Sequence, residues 1–277
     1  MTDTSAIRAL AERSGVLPRA RVAREVIRRR VLVPLRHPRK TAKVNGFTLR
    51  VHSRHEYIAR QLFLYGCYEQ PEIDSLCSLV RPGDIVLDVG ANIGLYSVHL
   101  SRAVGPSGQV HAFEPDPANV VLLRQNVEHN ACTNVVIHPY GLGAVNEQRA
   151  LYLNKANKGY QSILRAEVST GQITIELRRG RDVIGDMVVA AMKIDVEGAE
   201  PLVLDGFDTW PPVILFEFLP DQLRMMDVAP CIFLQRFIDR GYRLEQIDGA
   251  RRVPLTKDTM AALSSGSGFA YNLIALS

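Results

Sequence analysis

Three short acidic segments carry the residue types and spacing that could do chemistry. The first is Asp88-Val89-Gly90-Ala91-Asn92-Ile93-Gly94. It follows an apolar run, Ile85 to Val89, and opens a helical pattern. Glycines at such a turn let the backbone bend sharply and approach a ligand. A carboxylate at the strand tip would repel a pyrophosphate but suits a cationic amino group. The Gly90–Gly94 spacing is Gly-x-x-x-Gly, not the Gly-x-Gly-x-x-Gly of dinucleotide sites. Both features favour the methionine moiety of S-adenosylmethionine over a nicotinamide dinucleotide.

The second segment is Phe113-Glu114-Pro115. Glu114 stands at the tip of the next apolar run, where doubly wound folds place an acid that accepts from ribose hydroxyls. One carboxylate can take both hydroxyls. The third is Met192-Lys193-Ile194-Asp195-Val196-Glu197-Gly198-Ala199-Glu200. Alternation puts Lys193, Asp195 and Glu197 on one side if the strand persists. A buried Lys and Asp must pair or serve a ligand. Asp195 is the leading candidate for contact with methyl donor or acceptor. Glu200 serves the site or simply opens the next helix, where an anion suits the dipole. Glu217, between Phe216 and Phe218, faces the same crevice as a base or as a partner of Lys193. Asp195, Glu197 and Glu217 are oxygen ligands of the kind magnesium takes, but nothing in their spacing demands a metal. Of the histidines, His99 and His111 read as structural, and His138 lies near the adenine side.

These residues need a scaffold, and the elements supply one. Apolar runs at 85–89, 109–113, 135–137, 188–194 and 213–216 alternate with helical patterns at 94–104, 117–130, near 199–206 and 229–240. Two last strands are expected at 242–247 and 269–276. That rhythm predicts an α/β fold, a mostly parallel sheet with helices on both faces. Ligands in such sheets bind at the carboxyl edge, where all three segments fall. Strands at 150–153 and 172–177 around the polar stretch Asn154 to Gly171 predict a β-hairpin insertion between the third and fourth core strands. Upstream, 43–53 reads as one short strand, and 55–80 as two helical pieces broken at Pro71.

Residues 1–43 hold twelve basic and three acidic residues, a net +9, while the remainder carries 21 basic and 26 acidic residues, a net −5. The chain therefore divides into a basic extension (1–43), a strand-and-helix segment packing on the core (44–80) and a catalytic domain (81–277). The extension is a solvated tail or a surface for anions, including peripheral contact with lipid headgroups. No aromatic interleaves its arginines, which argues against single-stranded nucleic acid as its partner. No run reaches the roughly 18 apolar residues of a membrane span, and no secretory leader is evident, so a cytoplasmic location is expected. The four cysteines are far apart, which speaks for free thiols rather than zinc.

Together these segments resemble the FkbM family of class I methyltransferases. The resemblance runs through Gly66-Cys67-Tyr68-Glu69, Arg81-Pro82-Gly83-Asp84, Asp88 to Ser97, Phe113 to Pro117 and Lys193 to Glu200. It covers roughly residues 55–220. It implies a seven-stranded Rossmann-like sheet, S-adenosylmethionine as donor, and a hydroxyl on a natural product, sugar or glycan as acceptor. It further implies cofactor contacts from Asp88, Gly90, Ala91, Asn92, Gly94, Glu114 and Pro115, and upstream from Tyr68 and Glu69. Lys193, Asp195 and Glu197 become site residues by the resemblance; Lys193 and Asp195, with Glu217 from its own place at a strand end, are the catalytic candidates. Two other functions fit parts of the sequence: a nicotinamide-dependent oxidoreductase, or a nucleotide-binding module with a basic arm for nucleic acid or lipid. The acceptor and the oligomeric state stay open.

Overall fold

A computed structural model describes residues 41–52, 57–153, 162–163, 171–268 and 270–277. The basic extension up to residue 40 and most of the 154–170 stretch lie outside the described residues.

The described residues open with a hairpin, β1 (Thr41–Val44) and β2 (Phe47–Arg50). This corrects the single strand expected at 43–53, and it places the boundary drawn at residue 43 inside β1. Asn45-Gly46 makes the turn with φ of 47° and 85°, the left-handed pair that an Asn-Gly hairpin turn requires. Two helices follow, α1 (Tyr57–Tyr65) and α2 (Gln70–Cys77). Pro71 does not break them. It sits in the first turn of α2, where its missing N–H costs nothing.

Next come β3 (Ile85–Val89), α3 (Leu95–Val104), β4 (Gln109–Phe113), α4 (Pro117–His129) and β5 (Val135–His138). The insertion comprises β6 (Gly141–Gly143), β7 (Glu147–Leu153) and β8 (Gly171–Arg179). It is more than the expected hairpin. β7 and β8 pair antiparallel, and β6 adds a third strand parallel to β8. After the short α5 (Gly180–Ile184) the core resumes with β9 (Val189–Ile194), α6 (Glu200–Asp205), β10 (Val213–Phe218), α7 (Pro220–Met225) and α8 (Pro230–Asp239). β11 (Arg243–Asp248), β12 (Arg251–Pro254), α9 (Lys257–Ser265) and β13 (Tyr271–Leu276) complete it.

The main sheet has strand order β12-β11-β13-β10-β9-β3-β4-β5. It therefore has eight strands where seven were expected. The extra strand, β12, is a hairpin return on β11 at the edge, its four residues all exposed, and no buried apolar run announces it. β10, β9, β3, β4 and β5 run parallel, and β13 is antiparallel to β10 and β11.

Two cores lie on opposite faces. Val86, Val110 and Ala112 point to the face covered by α3, α4 and the hairpin. Leu87, Val89 and Phe113 point to the face covered by α6, α8 and α9. Alternate burial on both sides explains why these strands read as continuous apolar runs. The topological switch lies between β3 and β9, which are paired in space and separated in sequence by two strands and the insertion. Among the described residues, no helix is long and apolar enough to cross a membrane.

Candidate functional site

The glycine turn is built by contacts within the chain. Beyond the end of β3, Gly90 and Ala91 both donate their N–H groups to the Phe113 carbonyl, at 3.0 and 2.9 Å. Asp195 donates its own N–H to the Val89 carbonyl at 3.0 Å. The two loops thereby run against each other so closely that a Cβ on Gly90 (φ 79°) would lie 1.9 Å from the Asp195 carbonyl oxygen. Gly94 (φ 90°) caps α3, and a Cβ there would lie 2.6 Å from Leu123 Cδ1 on α4. Both glycines are thus demanded by backbone conformation and close packing. Gly90 also borders the cleft, whereas Gly94 and the buried Ala91 do not.

Asp88 is placed differently from the expectation that it faces a ligand. It is fully buried beneath the turn. Ser97 Oγ donates to it at 2.6 Å, and Lys193 Nζ lies 3.6 Å away. Burial raises its pKa, opposed by Lys193 and Ser97. Lys193 is also buried, at 4% exposure. Its Nζ donates to the Gly90 carbonyl at 2.8 Å, lies 3.3 Å from Asp195, and sits 5.0 Å from the centre of the Tyr96 ring. Burial alone would depress its pKa; the charges of Asp195, Asp88 and Glu69 outweigh that and hold it above the ordinary value. The ammonium therefore ties the glycine turn to the Asp195 loop rather than pairing with Glu217 across the strands.

Glu114 is 5% exposed and borders the cleft. Its carboxylate accepts from the Asn92 N–H (2.8 Å), the Asp116 N–H (2.9 Å) and Asn119 Nδ2 (3.2 Å). Burial pushes its pKa up to about 7 against these three donors. A carboxylate offers about four lone-pair sites, so roughly one is left for a ligand. The cleft spans about 740 Å³, counting space open to solvent. Acids and the strand tips form one side; Leu142, Leu151, Ile175 and Leu177, all of the insertion, form an apolar wall. Ser162 of the insertion donates to the Glu197 carbonyl at 2.8 Å.

A second, smaller chamber lies beside Tyr96 and Glu69, next to Asp195 and Glu217. Tyr96 donates its hydroxyl to Glu69 at 3.0 Å. Burial raises the Glu69 pKa to about 7, with Asp195 adding to it and Lys193 opposing. Tyr68, half-buried beside it, is raised for the same first reason. Glu217 is pushed up to about 9 by burial and then by Asp195 and Glu200. Asp195, Glu197 and Glu217 each bring one carboxylate oxygen within 4.8 Å of the others. Such a cluster needs protons or a cation to offset its charge.

Two expectations resolve as structural. Glu200, 1% exposed, accepts from the Val196 and Gly198 N–H groups, both at 3.2 Å, and so caps the loop that carries Asp195. His138 pairs with His111 (3.0 Å) and the Tyr140 hydroxyl (2.9 Å) and stacks on Phe113, outside the cleft lining. Sequence reasoning missed Asn119 and Tyr96. For Asn119 a signal existed: Asn119, Asn126 and Asn130, spaced by seven and four, put three amides along one side of α4 and its C-terminal cap.

The model of the methyltransferase FkbM domain matches residues 88–244, more than half of the chain. A methyltransferase named for 31-O-demethyl-FK506, FkbM of Streptomyces tacrolimicus, is 31% identical over 196 residues, covering 57% of this chain and 71% of that protein. Methyltransferase 1 of Beauveria bassiana is 29% identical, covering 55% and 67%. Among solved structures, an S-adenosylmethionine-dependent O-methyltransferase of Thermotoga maritima is 14% identical, covering 88% of this chain and 80% of that one, with a TM-score of 0.42. The family match favours the methyltransferase reading over the nicotinamide-dependent oxidoreductase.

Proposed function

The chain belongs to the FkbM family of S-adenosylmethionine-dependent methyltransferases, and from that premise we propose that it methylates a hydroxyl oxygen of a small natural product or sugar.

The cleft residues suit the cofactor. Glu114 is an acceptor for a ribose hydroxyl, the wall of Leu142, Leu177 and Val196 suits an adenine ring, and the acids beyond suit a cation. In this reading Gly90, Asn92, Glu114 and Pro115 line the adenosine end, with Glu69 and Tyr68 towards the methionine end. Asp88, Ala91 and Gly94 shape the turn from beneath. Bound there, S-adenosylmethionine supplies an activated methyl group.

What the chain itself must do is orient an acceptor hydroxyl and take its proton. Proximity and orientation supply much of the rate when the donor is already activated. The observation that carries the reading is Asp195: a third exposed, ion-paired to buried Lys193, and bordering both the cleft and the smaller chamber. We assign it the role of base. We assign Glu217, whose pKa is raised by burial and by Asp195, to donate a hydrogen bond to the acceptor rather than remove its proton. The relative named for a 31-O-demethyl substrate acts, by that name, on an oxygen, which supports the same chemistry here.

The test is to incubate the protein with methyl-labelled cofactor and extracts of cells lacking the gene, then search for products heavier by one CH₂. The carbon shift of the new methyl separates oxygen from nitrogen attachment. A product methylated on nitrogen or carbon overturns the reading.

A further inference from the structure

We propose that Asn119 is a positioning residue for Glu114, and that the N-terminal hairpin works as part of the cofactor site through His52. The inference rests on the reading of Glu114 as the ribose acceptor.

Asn119 lies in the first turn of α4 and is 3% exposed. Its Nδ2 donates to Glu114 Oε1 at 3.2 Å, and its Oδ1 lies 2.7 Å from His52 Nε2. The carboxylate can only accept, so it fixes which end of the amide faces it. Oδ1 must then face His52, whose Nε2 carries the proton.

His52 reaches this point because the hairpin is fastened along α4. The Asn126 amide accepts from the Arg50 N–H at 2.6 Å and donates to the Arg50 carbonyl at 3.0 Å. The Asn130 amide makes the same pair of bonds with Thr48, both at 2.9 Å. Each side-chain amide does for the free edge of β2 what another strand would do, since a strand turns alternate residues to the same edge. Thr48, Arg50 and His52 continue that spacing of two. The third amide, Asn119, is the one that also grips Glu114.

The consequence is a rotamer held from outside the sheet. Asn92 and Asp116 hold Glu114 from its own loop and the glycine turn. Asn119 and His52 hold it from the helix and the hairpin. A bond to a charged acceptor is among the stronger ones in a protein. Losing it frees the carboxylate to turn away from the cleft.

The experiment is calorimetry with S-adenosylhomocysteine and with its analogue lacking both ribose hydroxyls, on the wild type, Asn119→Asp and His52→Ala. Asn119→Asp keeps the shape but cannot donate to Glu114. The wild type should favour the hydroxylated ligand by about tenfold or more. Asn119→Asp should lose most of that preference while binding the analogue as the wild type does, and His52→Ala should lose part of it. A preference unchanged in Asn119→Asp overturns the inference, as does an equal loss for both ligands, which would mark a merely structural role. If Asn119→Asp fails to fold, His52→Ala decides alone, and an unchanged preference overturns the inference. A wild type that does not discriminate sinks the ribose reading itself, and the inference falls with it.

Discussion

Lys193 Nζ donates a hydrogen bond to the carbonyl oxygen of Gly90, 2.8 Å away and 103 residues earlier in the chain. Through this bond the glycine turn after β3 and the acidic loop after β9 become one unit, and Asp195 is held within 3.3 Å of the same ammonium.

Lys193→Met should therefore cost far more than a lost side chain. It leaves Asp88 buried with only Ser97 to offset its charge. Removing one partner of a buried pair costs about 3–5 kcal/mol. Urea titration should show a midpoint well below that of the wild type. An unchanged midpoint would mean that the ion pair contributes nothing to the fold.

Glu114→Ala should weaken cofactor binding by about tenfold or more, the worth of a hydrogen bond to a charged group. Titration calorimetry with S-adenosylmethionine measures it directly. Equal affinities for variant and wild type would remove Glu114 from ribose recognition.

Gly90→Ala adds a methyl group at a left-handed φ of 79° and drives it into the Asp195 carbonyl. The strain and overpacking should cost on the order of 2–4 kcal/mol. Because the displaced backbone carries Asp195, turnover should fall even below the melting temperature. A variant as active and as stable as the wild type would contradict the close approach of the two loops.

Glu200→Ala should loosen the loop that presents Asp195, because the Val196 and Gly198 N–H groups lose their acceptor. The expected cost is about 1–3 kcal/mol. Glu200→Gln keeps an acceptor oxygen and should recover most of both stability and rate. If the Ala and Gln variants behave alike, the cap is not what the residue provides.

Stability should depend on pH with a definite sign. Glu69, Glu114 and Glu200 are raised from 4.5 to about 7, and Glu217 to about 9. Each binds its proton more tightly folded than unfolded. Its contribution is fully present below the ordinary value of 4.5 and is lost as pH rises through the folded value. Without cofactor, the melting temperature should fall between pH 5 and pH 9, and least in Glu217→Gln at the upper end. A melting temperature that rises across this window would contradict the buried acids.

Much of the scaffold was legible because it is local. β3, β4 and β9 are buried on both faces, so their apolar runs and the glycine turn stand out in the sequence. Glu114 follows from its place at a strand tip. The Asn45-Gly46 hairpin was equally local and was overlooked, its strands being only four residues each. β12 offered no signal, since an exposed edge strand buries no side chains. β6, three residues long, is a strand only because β8 lies beside it.

The sequence by itself determined that an acid-rich, glycine-turned edge of a parallel sheet would meet an adenosine-bearing cofactor, because spacing, strand context and residue type are properties of short segments. Only the tertiary structure decided what each acid does. Asp88, Asp195 and Glu200 look alike as carboxylates in the sequence. The fold buries Asp88 under the turn against Lys193, leaves Asp195 at the cleft, and turns Glu200 inward onto two backbone N–H groups. Their roles follow from burial and partners brought from distant parts of the chain, and those exist only once the sheet has closed.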